Sequence, residues 1–161
     1  MLLAIDPGTE ESAYCYVDML TYKPILFGKI PNMDLLRKLI DKDGICPAHM
    51  AIEMVASYGM PVGKEVFETC VWIGRFVQAM DWAPLQIDYV YRMEERQMIC
   101  HSSKASDANI TQALIDRFAK GVSNRGKGTK KEPGWFYGFR KDIWQAYAVG
   151  VTYIDKCKEG R

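Results

Sequence analysis

The chain of 161 residues has no apolar run approaching the ~20 residues that a membrane-spanning helix needs. Its start, Met1 to Asp6, carries no basic segment and reaches a carboxylate at residue 6, which argues against a secretory leader. Histidine is scarce, with only 2 in the chain. Cys46-x-x-His49 and Cys100-His101 lack the four-ligand spacing of a zinc site, and no Ser/His/Asp arrangement finds support. The 5 cysteines (Cys15, Cys46, Cys70, Cys100, Cys157) are odd in number and irregularly spaced. They read as reduced thiols filling the interior of a cytoplasmic protein, not as a disulfide framework. No internal repeat or low-complexity tract is present.

What is there suits one ordinary domain spanning residues 1–161. Hydrophobic residues make up 48% and charged residues 25%, close to the globular average. A chain of this length can bury roughly 70% of its unfolded surface. The net charge of +1 conceals an asymmetry. Residues 117–141 hold eight Lys/Arg and one acid, Glu132, for +7, which leaves −6 for the rest. A basic quarter on an acidic remainder points to a localised polyanion contact, although a solvated loop would show the same composition.

Residues 2–6 read as a buried strand ending in Asp-Pro-Gly, and residues 12–18 and 25–30 as two further strands of a meander. Asn32 is placed to cap a helix running to about Lys42, with Met33, Leu36, Leu39 and Ile40 on its face. His49 to Val55 is a buried strand containing Glu53, and 57–63 is a loop. From Lys64 to about Trp82 the pattern predicts a core helix faced by Val66, Phe67, Cys70, Val71, Ile73, Gly74 and Val77, stopped by Pro84. Gln86–Tyr91 is a fifth strand. Ser106 or Asp107 caps a helix to about Lys120, residues 121–138 form a basic flexible loop, and a last helix spans about Phe139 to Lys156. A meander followed by βαβ units predicts an α/β fold: a mixed five-stranded sheet with helices on both faces.

Three acids stand in unusual places. Asp6 ends the first strand, Glu53 lies among apolar residues, and Asp142 opens the last helix. Each has a plain explanation: Asp6 as a turn former, Glu53 as a surface-facing strand position, Asp142 as a partner of the helix dipole. Together they suit a divalent cation, because unpaired buried carboxylates are costly and Mg²⁺ prefers hard oxygen ligands. Two such ions about 3.5–4 Å apart are one established way to hydrolyse a phosphodiester.

The ordered set Leu3 to Thr9, Ala51-Ile-Glu53, Gly63 to Ala79 with Gly74-Arg75, and Lys141 to Val151 resembles the RuvC-type Holliday-junction resolvases. Arg92 to Phe118, Pro133-Gly134 and the surroundings of Trp144 are more similar to the phage-encoded branch. The resemblance implies a three-layer RNase H-like fold in a homodimeric endonuclease that makes paired, metal-dependent cuts in four-way and other branched DNA. It implies Mg²⁺, with Mn²⁺ able to substitute, on Asp6, Glu53 and Asp142. The family's fourth acid falls at Gln145, one helical turn after Asp142, where an amide oxygen is a neutral ligand. Lys104 is implied near the scissile phosphate, and Tyr58 as a ring wedged into the junction centre. Lys64 and Arg75, with Arg125, Lys127, Lys130, Lys131, Arg140 and Lys141, are the expected DNA contacts. Trp135, Phe136, Tyr137 and Phe139 are interleaved with the last of these, as base stackers or as core.

Other classes stay open at this level. Gln145 is compatible with a module that binds branched DNA without cutting it, and a related nuclease acting on RNA or flaps would share the acids. The Asp6-Pro-Gly-Thr9 turn also resembles that of actin-like ATPases, but those need two related domains and a second glycine-rich turn.

Overall fold

Leu2, Leu3, Ala4 and Ile5 of β1 (Leu2–Asp6) are wholly buried, which only a strand covered on both faces sustains. The computed structural model describes residues 1–41, 46–57, 59, 61–81 and 85–160 and sets β1 in the middle of a five-stranded sheet. β2 (Glu11–Val17) and β3 (Pro24–Pro31) extend it antiparallel on one side. β4 (His49–Met54) and β5 (Gln86–Tyr91) extend it in parallel on the other, giving the order β3-β2-β1-β4-β5. The predicted mixed sheet is therefore present.

The period-2 alternation of each strand divides the core in two. Leu3, Ile5, Tyr14, Met50 and Ile52 face α1 (Asn32–Asp41) and α2 (Lys64–Met80), meeting Leu35, Leu39, Ile73 and Phe76. Leu2, Ala4, Ala13, Cys15, Val17 and Ala51 face α4 (Asp107–Phe118) and α5 (Ile143–Lys158). Small residues let α5 settle close to the sheet: a Cβ at Gly150 would lie 3.1 Å from Val17 and 3.2 Å from Ala4. α3 (Arg92–Cys100) follows β5 directly, with no connecting loop. Among the described residues no helix is long and apolar enough to cross a membrane.

Several sequence expectations need correction. The predicted apolar face of α2 is too wide. Its buried residues are Thr69, Ile73, Phe76 and Met80, while Phe67 and Val71 are 61% and 62% exposed, because the sheet covers only one stripe of the helix. Met33 and Ile40 of α1 are exposed for the same reason. Asn32 begins α1, but its side chain is used elsewhere. It accepts from the Ser12 hydroxyl at 2.6 Å and donates to the Gly8 carbonyl at 2.9 Å, fixing the turn after β1. Of the cysteines only Cys15 is buried; Cys46 and Cys157 are exposed, and all five are free. Helix α3 went unseen in the sequence pattern. The last helix starts at Ile143, since residues 139–142 turn before it. The expected helix ends at Lys42 and Trp82, the stop at Pro84, and Tyr58 lie outside the described residues.

Residues 121–138 hold no regular helix or strand but are pinned by their own backbone. Phe136 N–H donates to the Gly126 carbonyl at 3.0 Å, Gly134 N–H to Lys127 at 2.8 Å, and Thr129 N–H to Glu132 at 2.9 Å. The segment is a series of tight turns around a buried ring. Gly126 (φ 77°) and Gly128 (φ 66°) are left-handed, and a Cβ at Gly128 would collide with the Glu132 carbonyl at 2.3 Å.

Candidate active site

The parallel register of β1 and β4 decides where the first two acids fall. Ile5 pairs with Ile52, so the next residues, Asp6 and Glu53, stand side by side at the carboxyl ends of neighbouring strands. Asp6 continues the phase of Leu2 and Ala4, and Glu53 that of Ala51, so both belong to the face covered by α5. The two carboxyls interact directly. Burial, reinforced by the charge and the hydrogen bond of Glu53, holds the Asp6 carboxyl well above the ordinary carboxylate range; Arg92 opposes this and Asp142 adds to it. A bound cation would favour the ionised form of the Asp6 carboxyl and so oppose this effect.

The third acid arrives at the start of α5. Lys141 is left-handed (φ 44°), an uncommon conformation for a side chain of this size, and Asp142 follows as the N-cap. Asp142 makes no capping hydrogen bond. Instead it accepts from Lys29 Nζ at 2.6 Å. The sheet explains this reach. Asp6 pairs with Ala13 and Ala13 with Lys29, so a row across the sheet runs from Lys29 over a small alanine to Asp6. The ion pair with Asp142 raises the Lys29 pKa. Asp6, Gly8, Glu11, Lys29 and Asp142 line an open cavity of about 430 Å³.

A second cation closes the other end of the row. Glu53 pairs with Val90, and two residues later Arg92 leaves β5. Its guanidinium donates to Gln145 Oε1 at 2.7 Å and to Glu95 Oε2 at 2.9 Å. It also lies 3.2 Å from Asp107 Oδ1 and 3.8 Å from Glu53 Oε1. Glu95 is fully buried, and its Oε1 has no hydrogen-bond partner among the described residues. Burial, then the Glu53 charge, pushes its carboxyl up to about 8 despite Arg92. The amide oxygen of Gln145, the atom expected to face a metal, is thus already bound. Among the described residues no group of three or more His, Cys, Asp or Glu side chains is close enough to hold a metal. The acids converge, but Lys29 and Arg92 occupy two of the expected ligands.

The arrangement of strands, helices and acids has counterparts among solved structures. A structure of T. thermophilus RuvC in complex with a Holliday junction substrate superposes with a TM-score of 0.73 at 12% identity, covering 99% of this chain and 95% of the other. A second Thermus thermophilus RuvC structure gives 0.68 at 13% identity, covering 99% and 96%. This is a RuvC-like, RNase H-like fold. No family model and no curated protein sequence matches the chain.

Within this RuvC-like fold the expected DNA contacts separate into two groups. Arg125, Lys127, Arg140 and Lys141 line one concavity of about 430 Å³ together with Asp107 and Trp144. Arg140 and Lys141 also border a smaller concavity with Glu11 and Lys29, and those two residues line the acidic cavity. Three hollows therefore adjoin, acidic at one end and basic at the other. The second group lines none of these three hollows. Lys104 is exposed between α3 and α4, and none of the ion pairs among the described residues involves it. Lys64 pairs with Glu68 on α2 at 3.2 Å. Arg75 stacks on Trp72 at 4.1 Å. Lys130 and Lys131 are exposed on the turns.

The aromatic residues beside the basic ones are mostly core. Phe136 and Phe139 are buried against Trp144 and Tyr147. Trp135 stacks on Phe118 at 5.4 Å and donates to the Tyr147 hydroxyl at 3.1 Å. Tyr137 alone of the four is exposed, at 44%. Sequence reasoning missed Lys29, Arg92 and Glu95. The one available signal was Glu95 at i+3 from Arg92, a spacing that puts both on one helical face.

Proposed function

We propose that this chain is a metal-dependent endonuclease that resolves four-way and other branched DNA. One observation carries the reading: Asp6 at the end of β1 and Asp142 at the start of α5 line a cavity that adjoins a basic groove, and Glu53 stands beside Asp6 at the end of the neighbouring parallel strand. A polyanion laid along Arg125, Lys127, Arg140 and Lys141 would present a phosphodiester to Asp6 and Asp142. The fold is shared with a RuvC solved on a Holliday junction, which supports a branched substrate.

Asp6, Glu53 and Asp142 are the residues that would hold a divalent cation, and the Asp6 carboxyl, held above its usual range by burial and by the Glu53 charge, belongs to a donor set short of positive charge. Bound there, a divalent ion supplies Lewis acidity toward a phosphate oxygen and lowers the pKa of a water. The protein's part is to align the strand. Lys29 stands between the acidic cavity and the basic track, placed to meet a phosphate oxygen when it releases Asp142. Mg²⁺, with Mn²⁺ as substitute, fits the all-oxygen set. A homodimer, as the family resemblance implies, would make paired cuts.

A second reading has an observation in its favour. Lys29 and Arg92 already neutralise Asp142 and Glu53, as suits a module that binds branched DNA without cutting it. Incubating the protein with a labelled four-way junction, a linear duplex, a three-way fork and an RNA flap, in Mg²⁺ and in EDTA, separates the cases. Metal-dependent paired nicks confined to branched DNA are expected. Tight junction binding without cleavage in Mg²⁺ or Mn²⁺ would establish the binding module. Preferred cleavage of RNA or flaps would move the assignment to another nuclease.

A further inference from the structure

Arg92 turns back from the end of β5 into a space bounded by β4, α3, α4 and α5. Its guanidinium meets oxygens from all four: Glu53 at 3.8 Å, Glu95 at 2.9 Å, Asp107 at 3.2 Å and Gln145 at 2.7 Å. A guanidinium is planar, permanently charged and a donor at five positions. Glu95 is wholly buried, so withdrawal of Arg92 would leave a carboxyl without its donor inside the protein. Arg92 is therefore a fixture of the site.

We propose that this guanidinium supplies the positive charge that a second divalent ion would otherwise bring. The site then takes one divalent ion per chain, on Asp6, Glu53 and Asp142, and Gln145 anchors Arg92 instead of ligating metal. The inference rests on the metal-dependent nuclease reading. Three observations carry it. The carbonyl oxygen of Gln145 is bound to Arg92, and the rest of that amide is an NH₂ group, a donor with nothing to offer a cation. Glu53 lies within ion-pair distance of the same guanidinium, so one of its oxygens already faces a cation. Glu95 shares the Nη1 nitrogen with Gln145 and Asp107 meets Nη2, so the guanidinium is held in place at both terminal nitrogens. A carboxylate at position 145 would meet Arg92 first and would extend this ion-pair network without adding a metal ligand.

Counting bound Mn²⁺ by electron paramagnetic resonance tests this directly. The full chain is titrated alone and when saturated with a nuclease-resistant four-way junction, with the signal of the junction alone subtracted. One Mn²⁺ per chain is expected in the wild type. Gln145→Glu should keep one ion, with half-saturation changed less than twofold, because the new carboxylate pairs with Arg92. Arg92→Met should admit a second ion, whereas Arg92→Lys, which keeps the charge, should not. Two ions per wild-type chain, or Mn²⁺ binding at least tenfold tighter in Gln145→Glu, would overturn the inference and leave the nuclease reading standing. No bound ion in the wild type would overturn both. The wild-type count and Gln145→Glu decide the matter even where Arg92→Met does not fold.

Discussion

Replacing Glu95 by glutamine should stabilise the protein, and increasingly so as the pH rises. Glu95 is fully buried and its carboxyl is pushed from the ordinary 4.5 up to about 8, first by burial and then by the Glu53 charge. Below pH 4.5 the carboxyl is neutral in folded and unfolded chains alike, so wild type and Glu95→Gln should coincide. Between 4.5 and about 8 the unfolded chain has lost this proton and the folded chain keeps it. Wild-type stability therefore falls through this window, and that of the variant does not. Each pH unit is worth about 1.4 kcal/mol, so the ceiling of the difference is about 5 kcal/mol. The hydrogen bond from Arg92 survives on the glutamine oxygen, but the ion pair formed once Glu95 ionises is lost. We expect about 2 kcal/mol at pH 8.5, a gain in Tm of about 4–8 °C for a chain of this size. Thermal unfolding of both proteins from pH 4 to 9 in EDTA measures it. A variant less stable than wild type above pH 7 would mean that Glu95 is ionised and that its ion pair with Arg92 outweighs burial.

Three further outcomes follow from the same geometry. Asp6→Asn removes a buried carboxyl whose ionised form the Glu53 charge disfavours; it should fold with an unchanged or higher Tm, bind a four-way junction, and cleave it at least about 100-fold more slowly. The double variant Lys127→Ala/Arg140→Ala takes two cations from the basic concavity. The slope of log K against log salt for junction binding should shrink by about 2, and an unchanged slope would place the DNA elsewhere. Phe136→Ala empties the centre of the turn segment and should cost about 3–5 kcal/mol in urea unfolding, whereas Tyr137→Ala, at an exposed ring, should leave stability within about 0.5 kcal/mol.

The sheet and its acids were legible because strand periodicity is local. Leu2 to Ile5 had to be buried on both faces, and Ala51 with Ile52 fixed the phase of Glu53, so two carboxylates could be placed from short runs of sequence. The cations were not legible. Lys29 reaches Asp142 only because the register Asp6–Ala13–Lys29 puts a small residue between them, and antiparallel register is set by turns whose lengths the composition does not reveal. Arg92 sits where β5 runs straight into α3, a junction without Gly, Pro or a preceding polar cap other than Tyr91. The aromatics at 135–139 showed the opposite failure. Their spacing among basic residues fitted stacking, but Phe136 and Phe139 were claimed by Trp144 and Tyr147, five to eleven residues away in sequence and close only after folding.

Lys29 is the residue whose removal should separate metal binding from substrate binding. In the free protein it holds Asp142 at 2.6 Å and lies 3.7 Å from Glu11. It is a third exposed, so the pair itself contributes little to stability. Its consequence is competitive: a divalent ion that takes Asp142 must displace the ammonium, and a displaced ammonium lies beside the concavity that Lys29 shares with Arg140 and Lys141. Lys29→Met should therefore lower the Mg²⁺ concentration that half-saturates cleavage, by about threefold or more, since the competing charge is gone. The same change should weaken binding of a nuclease-resistant junction in saturating Mg²⁺ and reduce its salt slope by about 1, because one phosphate contact is lost. A lower metal requirement with undiminished DNA affinity would confine Lys29 to Asp142. An unchanged metal requirement would mean that Asp142 is not a ligand and that the acidic cavity acts through Asp6 and Glu53 alone.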